Sequence, residues 1–181
     1  MPSFGQGVTR RLIAAVERAL GRAATDFIGE RINPEVHDDR PATRDYPGDF
    51  HGIPDLRYAP NPNGRPDTGE VVWTWIPFEE DPTRGKDRPA LIVGTDGPWL
   101  LVAALTSKDH DRDAEQERRA GRDWIDIGSG AWDSRGRPSE VRINRIIRID
   151  PGTVRREGAV LAIERFDSVA AAIRADARRQ R

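Results

Sequence analysis

The sequence predicts a mainly β protein with helices: a small β-barrel closed by a C-terminal helix and preceded by a helical, proline-rich extension. Three observations carry this. From Glu70 onward, short apolar runs of strand type alternate with Gly, Pro and Asp turn signals. The last segment switches to a helical period. Residues 33–66 hold seven of the 14 prolines, at 34, 41, 47, 54, 60, 62 and 66, which removes backbone donors and disfavours regular structure there.

In chain order, residues 9–25 read as an amphipathic helix. Thr9 caps it, Leu12, Val16 and Leu20 recur at a spacing of four with Ile13 alongside, and the arginines fall mostly on the other face. The proline-rich segment follows. Tyr46, Phe50, Ile53, Leu56 and Tyr58 are spaced along it as anchors for an extended strap over a folded body, which is expected to limit access to whatever site that body carries. The division expected is residues 1–30 as the helix, 31–68 as strap or linker, and 69–178 as the barrel. "EVVWTWIP" alternates two faces and predicts a strand, with Trp73 and Trp75 together on one face for core or dimer packing. "RGKDRPALIVG" reads as a charged loop entering a strand. The turn "TDGP" joins that strand to "PWLLVAALTSK" as a hairpin. "DWIDIG" and "SEVRINRIIRID" predict two more strands, the second with a slip in its alternation, and "RREGAVL" a short sixth. Phe166, Val169, Ala170, Ile173 and Ala177 give the closing helix its apolar stripe.

Composition bounds the function. The net charge is −1, so any RNA or DNA contact must come from a local patch rather than a basic total. There is no cysteine, which excludes disulfides and thiolate metal sites. His37 and His51 lie in the proline-rich segment without ligand spacing, so neither a metal site nor a cofactor is expected. No run of about 18 apolar residues suggests a membrane helix, and "MPSFGQGVTRRLIAAVERAL" lacks a signal-peptide apolar region, so a cytoplasmic protein is expected. Only two lysines, Lys86 and Lys108, stand among 29 basic residues, and both flank apolar strands.

The order "GEVVW…RGKDRPALIVG…LLVAALTSK…SEVRINRIIRIDP…FDSVAAAI" resembles the MazF/PemK family of toxin endoribonucleases, from about Gly69 to Ile173. The resemblance implies an SH3-like barrel that pairs as a homodimer. It implies metal-independent cleavage of single-stranded RNA and restraint by a cognate antitoxin. Carried over by motif, the family's Arg-Pro arginine falls on Arg88 and its Thr-Ser pair on Thr106 and Ser107. Arg88 is then expected to stabilise phosphate charge, and Thr106 and Ser107 to position the phosphate for 2′-OH attack. The sequence also departs from the family. The loop before Arg88 is short, with Asp87 in place of the loop's usual carboxylate. Arg145 stands where the family has glutamine, and Ile147 where it has arginine.

Around these residues, Lys86, Asp87 and Lys108 are candidate RNA contacts. In "GSGAWDSRGRPSE", Arg135 and Arg137 suit phosphates, while Trp132 suits either base stacking or packing on the barrel rim. His110 has the pKa range of a general base but lies in a charged loop. Two other classes share the expected fold: a CcdB-like toxin that binds a gyrase subunit, and a non-catalytic barrel that binds nucleic acid or protein.

Overall fold

The computed structural model describes residues 45–61, 63–107 and 121–180. The helix expected at 9–25, together with His37, Lys108 and His110, lies outside the described residues. Seven strands appear: β1 (Glu70–Pro77), β2 (Gly85–Asp96), β3 (Trp99–Thr106), β4 (Trp124–Gly128), β5 (Ser139–Arg142), β6 (Ile147–Ile149) and β7 (Arg156–Val160). One helix, α1 (Ile163–Arg179), closes the chain. The sheet order is β4-β5-β3-β2-β1-β7, with β6 also paired to β3. Among the described residues no helix is long and apolar enough to cross a membrane.

The β2–β3 hairpin turns on Gly97-Pro98, with Asp96 opposite Trp99. Gly97 takes φ 57°, which a two-residue hairpin turn needs and glycine supplies at little steric cost. β2 begins at Gly85, not at Pro89. The expected charged loop is therefore strand: Lys86, Asp87 and Arg88 pair with Ile76, Trp75 and Thr74 of β1. β1 supplies a full set of ladder partners, which outweighs the low β-propensity of charged side chains.

"SEVRINRIIRID" divides into β5 and β6, both antiparallel to β3. β5 sets Leu105 opposite Val141, a register that would bring Asn144 to Val102; β6 instead brings Ile147 there. The chain gains three residues along the same edge, and the segment Ile143–Ile146 bulges out between the two strands. This bulge presents Arg145.

The strands are apolar on both faces because both are covered. Val71, Leu91, Val93, Leu101 and Leu105 pack with Phe166, Val169 and Ile173 of α1. Val72, Ile76, Ala90, Ile92, Val102 and Ile147 form a second cluster on the other face, with Tyr46 and Val154 against it. Val71 of "VVWTWI" enters the first cluster and Val72 and Ile76 the second, while Trp73 and Trp75 stay half-buried and belong to neither. In α1 the core stripe ends on Asp176 rather than Ala177; its carboxylate is buried and receives Arg179 at 3.0 Å and Gln180 at 2.7 Å.

Leu56, 5% exposed, is buried in the first cluster, and Phe50, Tyr58 and Tyr46 pack against the two clusters. Tyr58 stacks at a tilt on Phe166, with centroids 5.3 Å apart, and donates to the Leu161 carbonyl at 2.8 Å. The Phe50 amide donates to the Ile146 carbonyl in the bulge at 2.7 Å. Ile53, by contrast, stays exposed.

Candidate active site

A pocket of about 510 Å3 opens where the end of β1, the start of β2 and the end of β3 meet β4, β5 and the bulge. Pairing brings its central residues together. Ala90 lies opposite Ala104, so the same register two residues on sets Arg88 opposite Thr106. On its other side Arg88 faces Thr74, which is fully buried and hydrogen-bonded to Thr153.

Of the residues expected from sequence, Lys86, Asp87, Arg88, Thr106, Ser107 and Arg137 line this pocket. Arg135 does not; its backbone amide binds the Asp133 carboxylate at 2.8 Å while the residue itself is exposed. Trp132 is removed from the RNA-contact set. It is 2% exposed, sits in the α1 cluster, and donates its indole N–H to Ser139 Oγ at 3.1 Å. Its carbonyl accepts from Trp73 Nε1 at 3.0 Å. A Cβ at residue 130 would lie 2.1 Å from the Trp132 ring, so Gly130 lets the indole seat. A ring enclosed in this way has no face for a base. The packing alternative is the one observed.

Sequence reasoning missed Arg142, Arg145, Arg122, Glu79, Phe78 and Trp124, which also line the pocket. Arg122 and Trp124 border a charged stretch, and Glu79 sits in an ordinary turn; only the folded sheet collects them. The expectation that the strap limits access needs correcting as well: no residue of 45–61 lines the pocket. Asp49 reaches it only through Arg145, which it grips at 2.8 and 3.2 Å.

The charges fall into a pattern. Arg142 makes two bonds to Glu79, at 2.8 and 3.3 Å. Arg122 meets Glu80 at 3.7 Å, Arg155 meets Asp87 at 2.7 Å, and Arg137 meets Asp133 at 2.8 Å. Each pocket carboxylate therefore has an arginine. Asp133 is held below the usual carboxylate range by the Arg135 backbone amide, then by Arg137. Arg88 is different. Its half-buried guanidinium has a buried Nε with no hydrogen-bond partner. Burial, and then the nearby Arg145 charge, push its pKa down from the ordinary arginine value. Arginine nonetheless stays cationic at neutral pH. An unpaired, desolvated cation in a pocket is costly unless an anion arrives.

The Glu79–Arg142 pair makes a pH prediction. Hydrogen bonds from Arg142 outweigh burial and lower the Glu79 pKa below its ordinary 4.5. A carboxylate depressed in the folded state adds stability above its unfolded pKa and loses it as pH falls through the lower folded value. Melting temperatures of the native chain should therefore fall relative to Glu79→Gln as pH drops below 4.5. Glu79 is 48% exposed, so solvent screening limits the pair to about 1 kcal/mol or less. A constant difference between the two proteins across that range would contradict the linkage.

Comparison with known proteins agrees with the motif order. The model of a family described as PemK-like, MazF-like toxins of type II toxin–antitoxin systems matches residues 67–175. No curated protein matches the chain. Among solved structures, the chain is similar to the crystal structure of MazE–MazF (Form-II) from Deinococcus radiodurans, with 16% identity and a TM-score of 0.44. That alignment covers 62% of this chain and 96% of the other. With the family model spanning more than half of its length, this chain belongs to the PemK-like, MazF-like toxins of type II toxin–antitoxin systems.

Proposed function

We propose that this toxin is an endoribonuclease that cleaves single-stranded RNA without a metal ion, at the pocket around Arg88. Members of the family generally act as endoribonucleases. The observation that carries the reading here is the half-buried Arg88 guanidinium, its buried Nε without a hydrogen-bond partner, in one pocket with Thr106 and Ser107. Cleavage proceeds by attack of the ribose 2′-oxygen on phosphorus while the bond to the 5′-oxygen breaks. The 2′-OH loses a proton, the leaving 5′-oxygen gains one, and a 2′,3′-cyclic phosphate results. Arg88 offers a planar fork of donors to the phosphorane oxygens as their charge grows. The Thr106 and Ser107 hydroxyls align the phosphate, and Lys86 adds a mobile cation at the mouth. Asp87 pairs with Arg155 and Arg137 with Asp133, and Arg137 also reaches a flanking phosphate.

A gyrase-binding surface has no need of a phosphate fork, so the free guanidinium favours the nuclease over the CcdB-like reading. DNA lacks the 2′-OH that the reaction uses and is not proposed as a substrate. A cognate antitoxin is the partner expected from the toxin–antitoxin family, and a second copy of the chain the other. The reading is tested with an RNA carrying a single 2′-deoxynucleotide at its mapped cleavage site. The full chain should leave that RNA intact and cut the all-ribose control. Cutting of both would exclude attack by the 2′-OH.

A further inference from the structure

We infer that Arg145 is a second phosphate-binding residue of the Arg88 pocket, placed there by Asp49 of the segment that precedes the barrel. The inference deepens, and rests on, the RNA-cleaving reading of that pocket. Three observations support it. First, Arg145 lines the pocket although the residue is carried by the bulge between β5 and β6. Second, it is fixed: Nε and Nη2 donate to Asp49 at 2.8 and 3.2 Å, and Nη1 donates to the Pro77 carbonyl at 2.9 Å. A guanidinium has five N–H groups, so one hydrogen on each Nη is left for a ligand. Third, Asp49 is itself held. Tyr46 donates its hydroxyl to it. Arg148 donates to the Gly48 and Asp49 carbonyls at 3.2 and 2.8 Å and lies 5.1 Å over the Phe50 ring.

Charge explains why such a clamp is needed. The Arg145 charge is near enough to act on Arg88; Arg145 is almost buried and Arg88 half-buried. Two like charges there repel, so Arg145 free of Asp49 would swing out to solvent. Burial alone would lower the Arg145 pKa, but the hydrogen bond and charge of Asp49 override it and raise it instead. The clamp thus keeps two guanidiniums beside one pocket, an arrangement that a phosphodiester completes. The family's glutamine, replaced here by Arg145, brings no charge to this place. The segment 45–61 accordingly acts as a support for the site rather than as a cover.

The experiment uses the full chain and a single-stranded oligodeoxynucleotide, which binds but lacks the 2′-OH. Affinity is measured over a range of salt. Losing one phosphate contact lowers the slope of log K against log salt by about 0.7 for a single strand. Arg145→Gln should show that loss and bind about tenfold more weakly near 0.1 M salt, whereas Arg145→Lys should keep the slope. Asp49→Asn should keep the slope on the oligodeoxynucleotide but, with single-stranded RNA as substrate, lower kcat about tenfold, as expected from a displaced contact. A native slope in Arg145→Gln overturns the assignment, as does an equal loss in the Gln and Lys variants, which marks a structural role only. A native kcat in Asp49→Asn overturns the clamp. Should Arg145→Gln fail to fold, Arg145→Lys and Asp49→Asn decide the matter by the same criteria. Arg88→Ala run alongside locates the failure. If it weakens binding while Arg145→Gln does not, only Arg145 is misassigned; if neither does, the pocket reading falls too.

Discussion

Arg88→Ala should lower kcat for RNA cleavage about 100- to 1,000-fold, the range seen when one transition-state donor is removed. It should not lower the melting temperature. The second half of that expectation is what separates this arginine from an ordinary structural one. In the folded chain its Nε is buried without a partner, and burial and Arg145 both act against its charge. An unsatisfied buried polar group costs about 1–3 kcal/mol. Alanine removes that cost along with the function, so stability should hold or rise. Arg88→Lys keeps a charge but loses the planar fork, and should recover only part of the rate. An Arg88→Ala protein that cuts at the native rate would contradict the assignment. One that melts much earlier would show that the side chain serves the fold.

Trp132→Ala should have the largest effect on stability. The ring is almost fully buried among Leu, Ile and Val side chains under α1, and its N–H is satisfied by Ser139. Truncating a buried Trp costs about 3–5 kcal/mol, from lost burial and from the cavity left behind. For a chain of this size that is a fall in melting temperature of roughly 10 °C. Trp132→Phe keeps most of the volume and loses one hydrogen bond, so it should cost about 1 kcal/mol plus a smaller cavity. A surface stacking platform would behave the other way, with unchanged stability and weaker RNA binding. A Trp132→Ala chain that melts with the native protein would contradict the core position.

The two tryptophan readings illustrate what the sequence could and could not show. "GSGAW" is surrounded by glycines and charges, so nothing local marks Trp132 as core. Its burial comes from α1 and from Ser139, which follows it by one turn of loop. The strands were legible because both of their faces are apolar, and the closing helix because Phe166, Val169 and Ile173 keep a single period. The division of "SEVRINRIIRID" was not. Its alternation slips once, but only the shared edge of β3 reveals that the slip is three residues and that it displays Arg145.

Within the site, Arg88 and the Thr106-Ser107 pair were found through motif order, and the sheet register explains why they belong together. The charges around them were not legible. Arg142 meets a glutamate 63 residues away, and Arg145 an aspartate 96 residues away. Ion pairs at such separations depend on the finished topology, and a sequence with 33% charged residues offers too many equivalent partners to choose among. The same composition hid Arg88, whose Nε is buried in the pocket without a hydrogen-bond partner. What distinguishes Arg88 among the described residues is a buried Nε left without a partner, which cannot be read along the chain.

The central claim is that the Arg88 pocket cuts RNA with its own side chains. The most direct measurement incubates the purified full chain with a long single-stranded RNA in excess EDTA and determines the chemistry of both new ends. Discrete cuts that leave a 2′,3′-cyclic phosphate and a 5′-hydroxyl are expected with the native chain and not with Arg88→Ala. Intact RNA in EDTA that is cut once a divalent metal is restored, or ends bearing a 5′-phosphate, would contradict that claim.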